Sequence, residues 1–159
     1  MCGIVGIITT GREPSRAIIS KMTAMVRHRG PDDRGLFYDN NVALGHCRLS
    51  IIDLTNRGHQ PMSDDGNRYQ IIYNGELYNY KEIRSQLISR GYKFKSDSDT
   101  EVVLKSFIDA GKKCLDQFNG ISVLSYITDM QNTDWLAGLF IQYSFICHIE
   151  FCLPDQKIL

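Results

Sequence analysis

The chain has 159 residues, long enough for one domain with a sizeable core. Lys plus Arg and Asp plus Glu each number 18, so the net charge is zero, which argues against nucleic acid or an acidic membrane surface as a partner. Hydrophobic content of 43% and charged content of 23% are those of a soluble globular protein. In chain order, residues 4–8 (IVGII) form an apolar run of strand length. Residues 14–27 read as a helix, with Pro14 in the first turn and Ala17, Ile18, Met22, Met25 and Val26 near one face. A polar turn, His28 to Gly35, leads to two strands near 35–38 and 42–48. Residues 53–68 look like a loop. Residues 69–73 (YQIIY) read as a strand, and Asn74-Gly75 is a turn signal.

Asn79 with Glu82 suggests a capped helix start, with Tyr80, Ile83, Leu87 and Ile88 as its apolar face and Gly91 at its end. Ser98 with Glu101 is a second capping box, opening a helix through Ala110 that Gly111 stops. Strands in antiparallel-looking pairs and helices in separate blocks favour an α+β fold over a doubly wound sheet. No repeat is present. The five cysteines, at 2, 47, 114, 147 and 152, make no Cys-X-X-Cys pair and no disulfide framework. Charged residues from Arg12 onward break any secretory apolar run, so a reduced, cytoplasmic setting is expected. The spacing of Cys147, His148 and Cys152 is not a standard zinc pattern, and no metal site is expected.

Cys2 draws chemical interest by its position. Removal of the initiator Met before a small residue would leave Cys2 with a thiol and a free α-amine. An α-amine has a reference pKa of about 7.7–8.0, so it can act as the base for its own thiol. Taken alone, Cys2 could equally begin a buried strand. Five segments weigh against that plainer reading: Cys2-Gly3-Ile4-Val5-Gly6, Arg27 to Asp32 (RHRGPD), Gly45 to Asp53 (GHCRLSIID), Tyr73 to Asn79 (YNGELYN) and Ser96 to Glu101 (SDSDTE). In this order they resemble the glutamine-hydrolysing domain of class II glutamine amidotransferases. With His59-Gln60-Pro61-Met62, they resemble that of the asparagine synthetase (glutamine-hydrolysing) family in particular. The resemblance runs from residue 2 to about residue 120.

The resemblance implies an N-terminal-nucleophile hydrolase fold, an αββα sandwich, here expected to be incomplete at its C-terminal end. It implies that L-glutamine is the substrate and that Cys2 attacks its side-chain amide. It assigns the oxyanion to the Asn74 side-chain amide and the Gly75 N–H; by itself Asn74-Gly75 would be a plain hairpin turn. Losing one such donor typically costs about 2.7–4 kcal/mol of barrier. Arg48 would grip the α-carboxylate with a guanidinium fork, and Asp99 would hold the α-ammonium. By itself, Asp99 could simply be a first-turn acid on a helix dipole. Leu49, Ser50, Ile51, Ile52, Gly75 and Glu76 would complete the glutamine pocket. His28, His46 and His59 are expected to be structural, since the amine serves as base.

Past Gly120 the resemblance fades, and residues 121–159 read as a divergent tail from a truncated or frame-shifted reading. Residues 121–128 can still form a strand. The apolar run 136–153 contains Gln142, His148 and Glu150, which disfavours a membrane span and leaves a core strand pair open. No ATP-binding Ser-Gly-Gly-X-Asp-Ser loop occurs, so the ATP-dependent synthetase domain is expected to be absent. No cofactor is expected in this chain; ATP and Mg would belong to the missing domain of full-length relatives, which could be homodimers. The chain would then be at most a glutaminase, the nitrogen-donating half of an asparagine-synthesising enzyme. The alternatives are a catalytically inactive product or interaction remnant, and a thiol redox protein. The acceptor in the intact relative stays open between aspartate and a sugar or peptide carboxylate.

Overall fold

A computed structural model describes residues 2–9, 12–129, 135–141, 152–153 and 156–158, with side chains as far as Gly120. The described chain forms two compact units, each built on its own sheet. The first unit takes in residues up to Ser50, His59–Pro61 and the last two strands. The second takes in Ile51–Gly58 and the chain from Met62 onward to the seventh strand.

In the first unit, β1 (Gly3–Thr9), β2 (Asp33–Asp39), β3 (Val42–Arg48), β8 (Cys152–Leu153) and β9 (Gln156–Ile158) form one sheet in the order β2-β3-β1-β9-β8. All its neighbours are antiparallel. The register of β1 on β3 runs from Gly3 opposite Cys47 to Ile8 opposite Val42. One helix, α1 (Arg16–Met25), covers this sheet, and a short 3-10 turn over Arg27–Arg29 follows it. The helix starts two residues later than the sequence predicts. Ser15 is its cap, accepting the Ile18 N–H at 3.4 Å, and Pro14 lies outside.

Alternation along β3 turns Ala43, Gly45 and Cys47 toward α1. These small side chains let the helix approach closely. The Cys47 thiol donates to the Thr23 carbonyl at 3.3 Å, and Val5, Ile7, Ile19 and Ala43 form the core between them. A Cβ added at Gly45 would lie 2.1 Å from Thr23 Oγ1 and 2.7 Å from Val5 Cγ2.

In the second unit, β4 (Met62–Ser63), β5 (Tyr69–Leu77), β6 (Gly120–Asp129) and β7 (Trp135–Ile141) make an antiparallel sheet in chain order. The helices α2 (Tyr80–Ser89) and α3 (Asp99–Ala110) cover one face of β5. Ile71, Tyr73 and Leu77 meet Ile83, Leu87, Val102, Val103 and Leu104 there. The strand does not turn at Asn74-Gly75 as the dipeptide suggests. It continues to Leu77 because β6 pairs along its whole length, with an irregularity in register at Tyr73/Asn74. The stretch read as loop, 53–68, contains a 3-10 turn at Asn56–Gly58 and the short strand β4. Residues 121–128 do form a strand, inside β6, and β7 occupies the start of the apolar run 136–153; positions 142–151 lie outside the described residues.

The two glycine stops hold, with Gly91 at φ +94° and Gly111 at φ +57°. The capping boxes do not close as expected. Asn79 makes no cap bond; its side chain donates to Gln117 O at 2.8 Å and accepts Asn119 N–H at 2.9 Å, tying α2 to the entry of β6. Ser98 does cap α3, accepting Thr100 N–H at 3.1 Å. Glu101 reaches further back than a capping box. Its carboxylate accepts the Lys95 N–H at 3.0 Å and the Ser96 N–H and Oγ at 2.7 Å each. Residues Asp99 to Ser106 are all buried, so α3 has no solvated face over two turns, and its polar side chains must find partners.

Two stability outcomes follow. Glu101→Ala strands the buried Ser96 donors and the part-buried Lys95 N–H and should lower unfolding free energy by about 3 kcal/mol, seen as a lower urea midpoint at unchanged slope. Gly45→Ala should cost about 1–3 kcal/mol by overpacking, and Thr23→Ala in the same chain should recover part of that loss in thermal melts.

Candidate active site

Cys2 immediately precedes β1, and the register that sets Gly3 opposite Cys47 carries Cys2 to the end of β3, where Arg48 stands. The Cys2 side chain is half-buried. Leu49 N–H points at its sulfur from 3.4 Å, and the thiol lies 3.8 Å from Leu49 O. Arg29 Nε donates to the Cys2 carbonyl at 3.1 Å and anchors the backbone at that residue. Asp32 holds the segment that faces the sulfur. Its N–H donates to Arg48 O at 3.0 Å, and its carboxylate accepts Ser50 N–H at 2.8 Å. Leu49 is thus clamped from both sides. Gly30 makes this approach possible, since a Cβ there would lie 2.2 Å from Cys47 O. Arg48 itself is buried, with 7% of its surface exposed.

The second unit carries the remaining predicted residues. Asn74 and Gly75 lie mid-strand in β5. Alternation turns Asn74 to the face away from α2 and α3, where it is buried; Gly75 is half-buried and Glu76 exposed. Asp99 is the first residue of α3, and its carboxylate accepts Leu77 N–H at 3.1 Å. Burial raises the Asp99 carboxyl to about 6, and the Glu76 charge adds to the rise; amide hydrogen bonds from Leu77 and Thr100 oppose it. Ile51 and Ile52 are exposed, as is Leu54. Cys2, Arg48, Leu49 and Ser50 therefore group in the first unit. Ile51, Ile52, Asn74, Gly75, Glu76 and Asp99 belong to the second.

His28 Nδ1 lies 3.0 Å from Met25 O, His59 Nδ1 lies 2.7 Å from the Asp33 carboxylate, and His46 is fully buried on β3. Among the described residues, no group of three or more His, Cys, Asp or Glu is placed to hold a metal ion; Cys147 and His148 lie outside them. No helix among the described residues is long and apolar enough to cross a membrane.

Three residues matter to this geometry without having been singled out in the sequence: Arg29, Asp32 and Asp53. All lie in the recognisable segments, so their presence was visible, but each has a backbone partner far away in the chain. Asp53 works against its own burial. Hydrogen bonds from Thr55 and from the Asp97 amide, with the Arg57 charge, hold its carboxyl down to about 2.

Comparison with known proteins identifies the family. The glutamine amidotransferase domain family matches residues 1–137. Asparagine synthetase (glutamine-hydrolyzing) 1 of Bacillus subtilis is 47% identical over 111 residues, covering 67% of this chain and 17% of that protein. Asparagine synthetase (glutamine-hydrolyzing) 3 of the same organism is 38% identical over 136 residues, covering 83% of this chain and 22% of that protein. The chain thus spans about a fifth of the length of these curated relatives. Among solved structures, glutamine phosphoribosylpyrophosphate amidotransferase from B. subtilis superposes with a TM-score of 0.68 at 21% identity, over 87% of this chain and 37% of that one. The fold is that of the N-terminal-nucleophile hydrolases. By the match over residues 1–137, the chain belongs to the glutamine amidotransferase domain family.

Proposed function

We propose that this chain hydrolyses the side-chain amide of L-glutamine to glutamate and ammonia, as the nitrogen-donating part of an asparagine synthetase-like protein. The observation that carries the reading is the family match that begins at the Cys2 strand, together with the seating of the Cys2 sulfur against Leu49 N–H. Once Met1 is removed, the Cys2 α-amine takes the thiol proton as sulfur bonds to the amide carbon. The same amine gives that proton to the departing nitrogen, which leaves as ammonia. It then takes a proton from the water that splits the thioester, and glutamate is released. In each half-reaction the carbonyl oxygen becomes an oxyanion, which the Asn74 amide and the Gly75 N–H stabilise.

Arg48 binds the substrate α-carboxylate, and Asp99 binds the α-ammonium. The resemblance also assigns Leu49, Ser50, Ile51, Ile52 and Glu76 to glutamine binding. These steps need a nucleophile, a base and hydrogen-bond donors, and the reading assigns no cofactor to this chain; ATP and Mg enter with the synthetase domain of full-length relatives. A cytoplasmic setting suits a free Cys nucleophile. An inactive remnant is the weaker reading, because every motif residue with an assigned role is present.

Glutamate release from glutamine should be lost in Cys2→Ala, and N-terminal sequencing of active protein should begin at Cys2. Equal rates for the two proteins, or activity with Met1 retained, would refute the mechanism. The Asp99 carboxyl must be ionised to hold an ammonium. Because its value is raised to about 6, the ionised form is lost as pH falls through that point. The expected result is a kcat/KM for glutamine that falls about tenfold per pH unit below about 6, carried mainly by KM. Asp99→Asn should lower kcat/KM and flatten this acid limb.

A further inference from the structure

The backbone leading into α3 is held at nearly every position. Glu101 takes the amides of Lys95 and Ser96. Arg84 Nη1 donates to Ser96 O at 2.7 Å, and Ser98 N–H donates to Ser96 Oγ at 3.3 Å. These contacts all come from α2, from α3 or from the segment itself. The Asp97 amide is different. It donates at 3.0 Å to Asp53 Oδ2, forty-four residues earlier in the chain. The other Asp53 oxygen accepts Thr55 N–H at 2.8 Å and Thr55 Oγ1–H at 2.6 Å. Arg57 N–H and Nε in turn donate to the Thr55 hydroxyl oxygen at 3.2 Å each.

One buried carboxylate therefore joins the Ile51–Gly58 segment to the residues that open α3. Asp53 is only 5% exposed, and both of its oxygens are used within the second unit. The exposed Arg57–Asp97 pair, at 4.0 Å between half-solvated side chains, duplicates this link only weakly. Asp97 is two residues from Asp99, and the amide that Asp53 holds is the last fixed point before the Ser98 cap.

We propose that Asp53 is a positioning residue for glutamine recognition: through the Asp97 amide it sets the start of α3, and with it the Asp99 carboxylate, while its bonds to Thr55 fix the Ile51–Ile52 side of the pocket. The proposal rests on the reading of Asp99 as the partner of the substrate ammonium. Asp53 touches no substrate. Its loss should therefore weaken binding and leave the chemistry of Cys2 intact.

The test is glutaminase kinetics on the full chain for Asp53→Asn, Thr55→Val, Thr55→Ser, Asp99→Asn and the Asp53→Asn/Asp99→Asn double variant. Asp53→Asn puts an NH2 or a weaker acceptor against the Asp97 N–H. It should raise KM for glutamine at least tenfold with kcat within threefold. The double variant should lose clearly less than the product of the two single losses, because a displaced Asp99 has nothing further to lose and only the Thr55 side of the Asp53 contribution remains. Thr55→Val should raise KM severalfold, and Thr55→Ser, which keeps the hydroxyl, should restore it. Losses that multiply in the double variant would overturn the proposal, as would a kcat decrease at unchanged KM. Should Asp53→Asn fail to fold, the Thr55 pair decides, and equal kinetics for Val and Ser would overturn it. Wild-type activity equal to that of Cys2→Ala would instead sink the glutaminase reading and this inference with it.

Discussion

Antiparallel pairing between β1 and β3 fixes where the Cys2 thiol can stand. A strand rises about 3.3 Å per residue, so a slip of one residue would carry Cys2 past Leu49 by that distance. It would also turn Val5 and Ile7 out of the core under α1. The register is therefore held by packing as much as by the ladder. Gly45, opposite Val5, leaves the room that the Thr23 side chain occupies. A residue that precedes the first strand would ordinarily fray. Here it borrows rigidity from a strand whose partner is itself paired on both sides.

The second unit solves a different problem, holding an anion where water is scarce. Burial lifts the Asp99 carboxyl to about 6, and amide donors only partly offset it. An acid whose folded value lies above its unfolded one favours the folded state while protonated. That contribution is present below about pH 4 and is lost as pH rises through about 6. At neutral pH the unit thus carries an ionised group that weakens it. The compensation is local and polar. Glu101, Asp53 and Ser98 satisfy the amides around the helix start, so the backbone is rigid where the charge is poorly solvated.

Much of this was legible from local pattern. Strands β2 and β3, the helix opened by Ser98 and the stops at Gly91 and Gly111 follow from alternation, capping and glycine conformation. The departures share a cause. Asn74-Gly75 reads as a turn, yet β6 runs alongside and keeps the strand going. Asn79 reads as a cap, yet its amide bonds to residues 117 and 119. Glu101 reads as a partner of Ser98, yet it serves Lys95 and Ser96. In each, a polar side chain or dipeptide with a sensible local use is taken by a distant backbone. The roles of Cys2, Arg48, Asn74 and Asp99 came from family resemblance alone. The clamps at Arg29, Asp32 and Asp53 lie inside the recognised segments, but no local pattern names their partners, because a backbone group that meets a side chain can be anywhere in the sequence.

The central place of β1 also has a consequence for biosynthesis. The strand that bears Cys2 is made first, while β3, its partner, ends only at Arg48. At about 5–20 residues per second, translation separates the two by roughly 2–9 s. During that interval β1 is an unpaired apolar edge. Once β3 arrives, that exposure ends. The delay is the window in which Ile4 to Ile8 can pair with a neighbouring nascent chain.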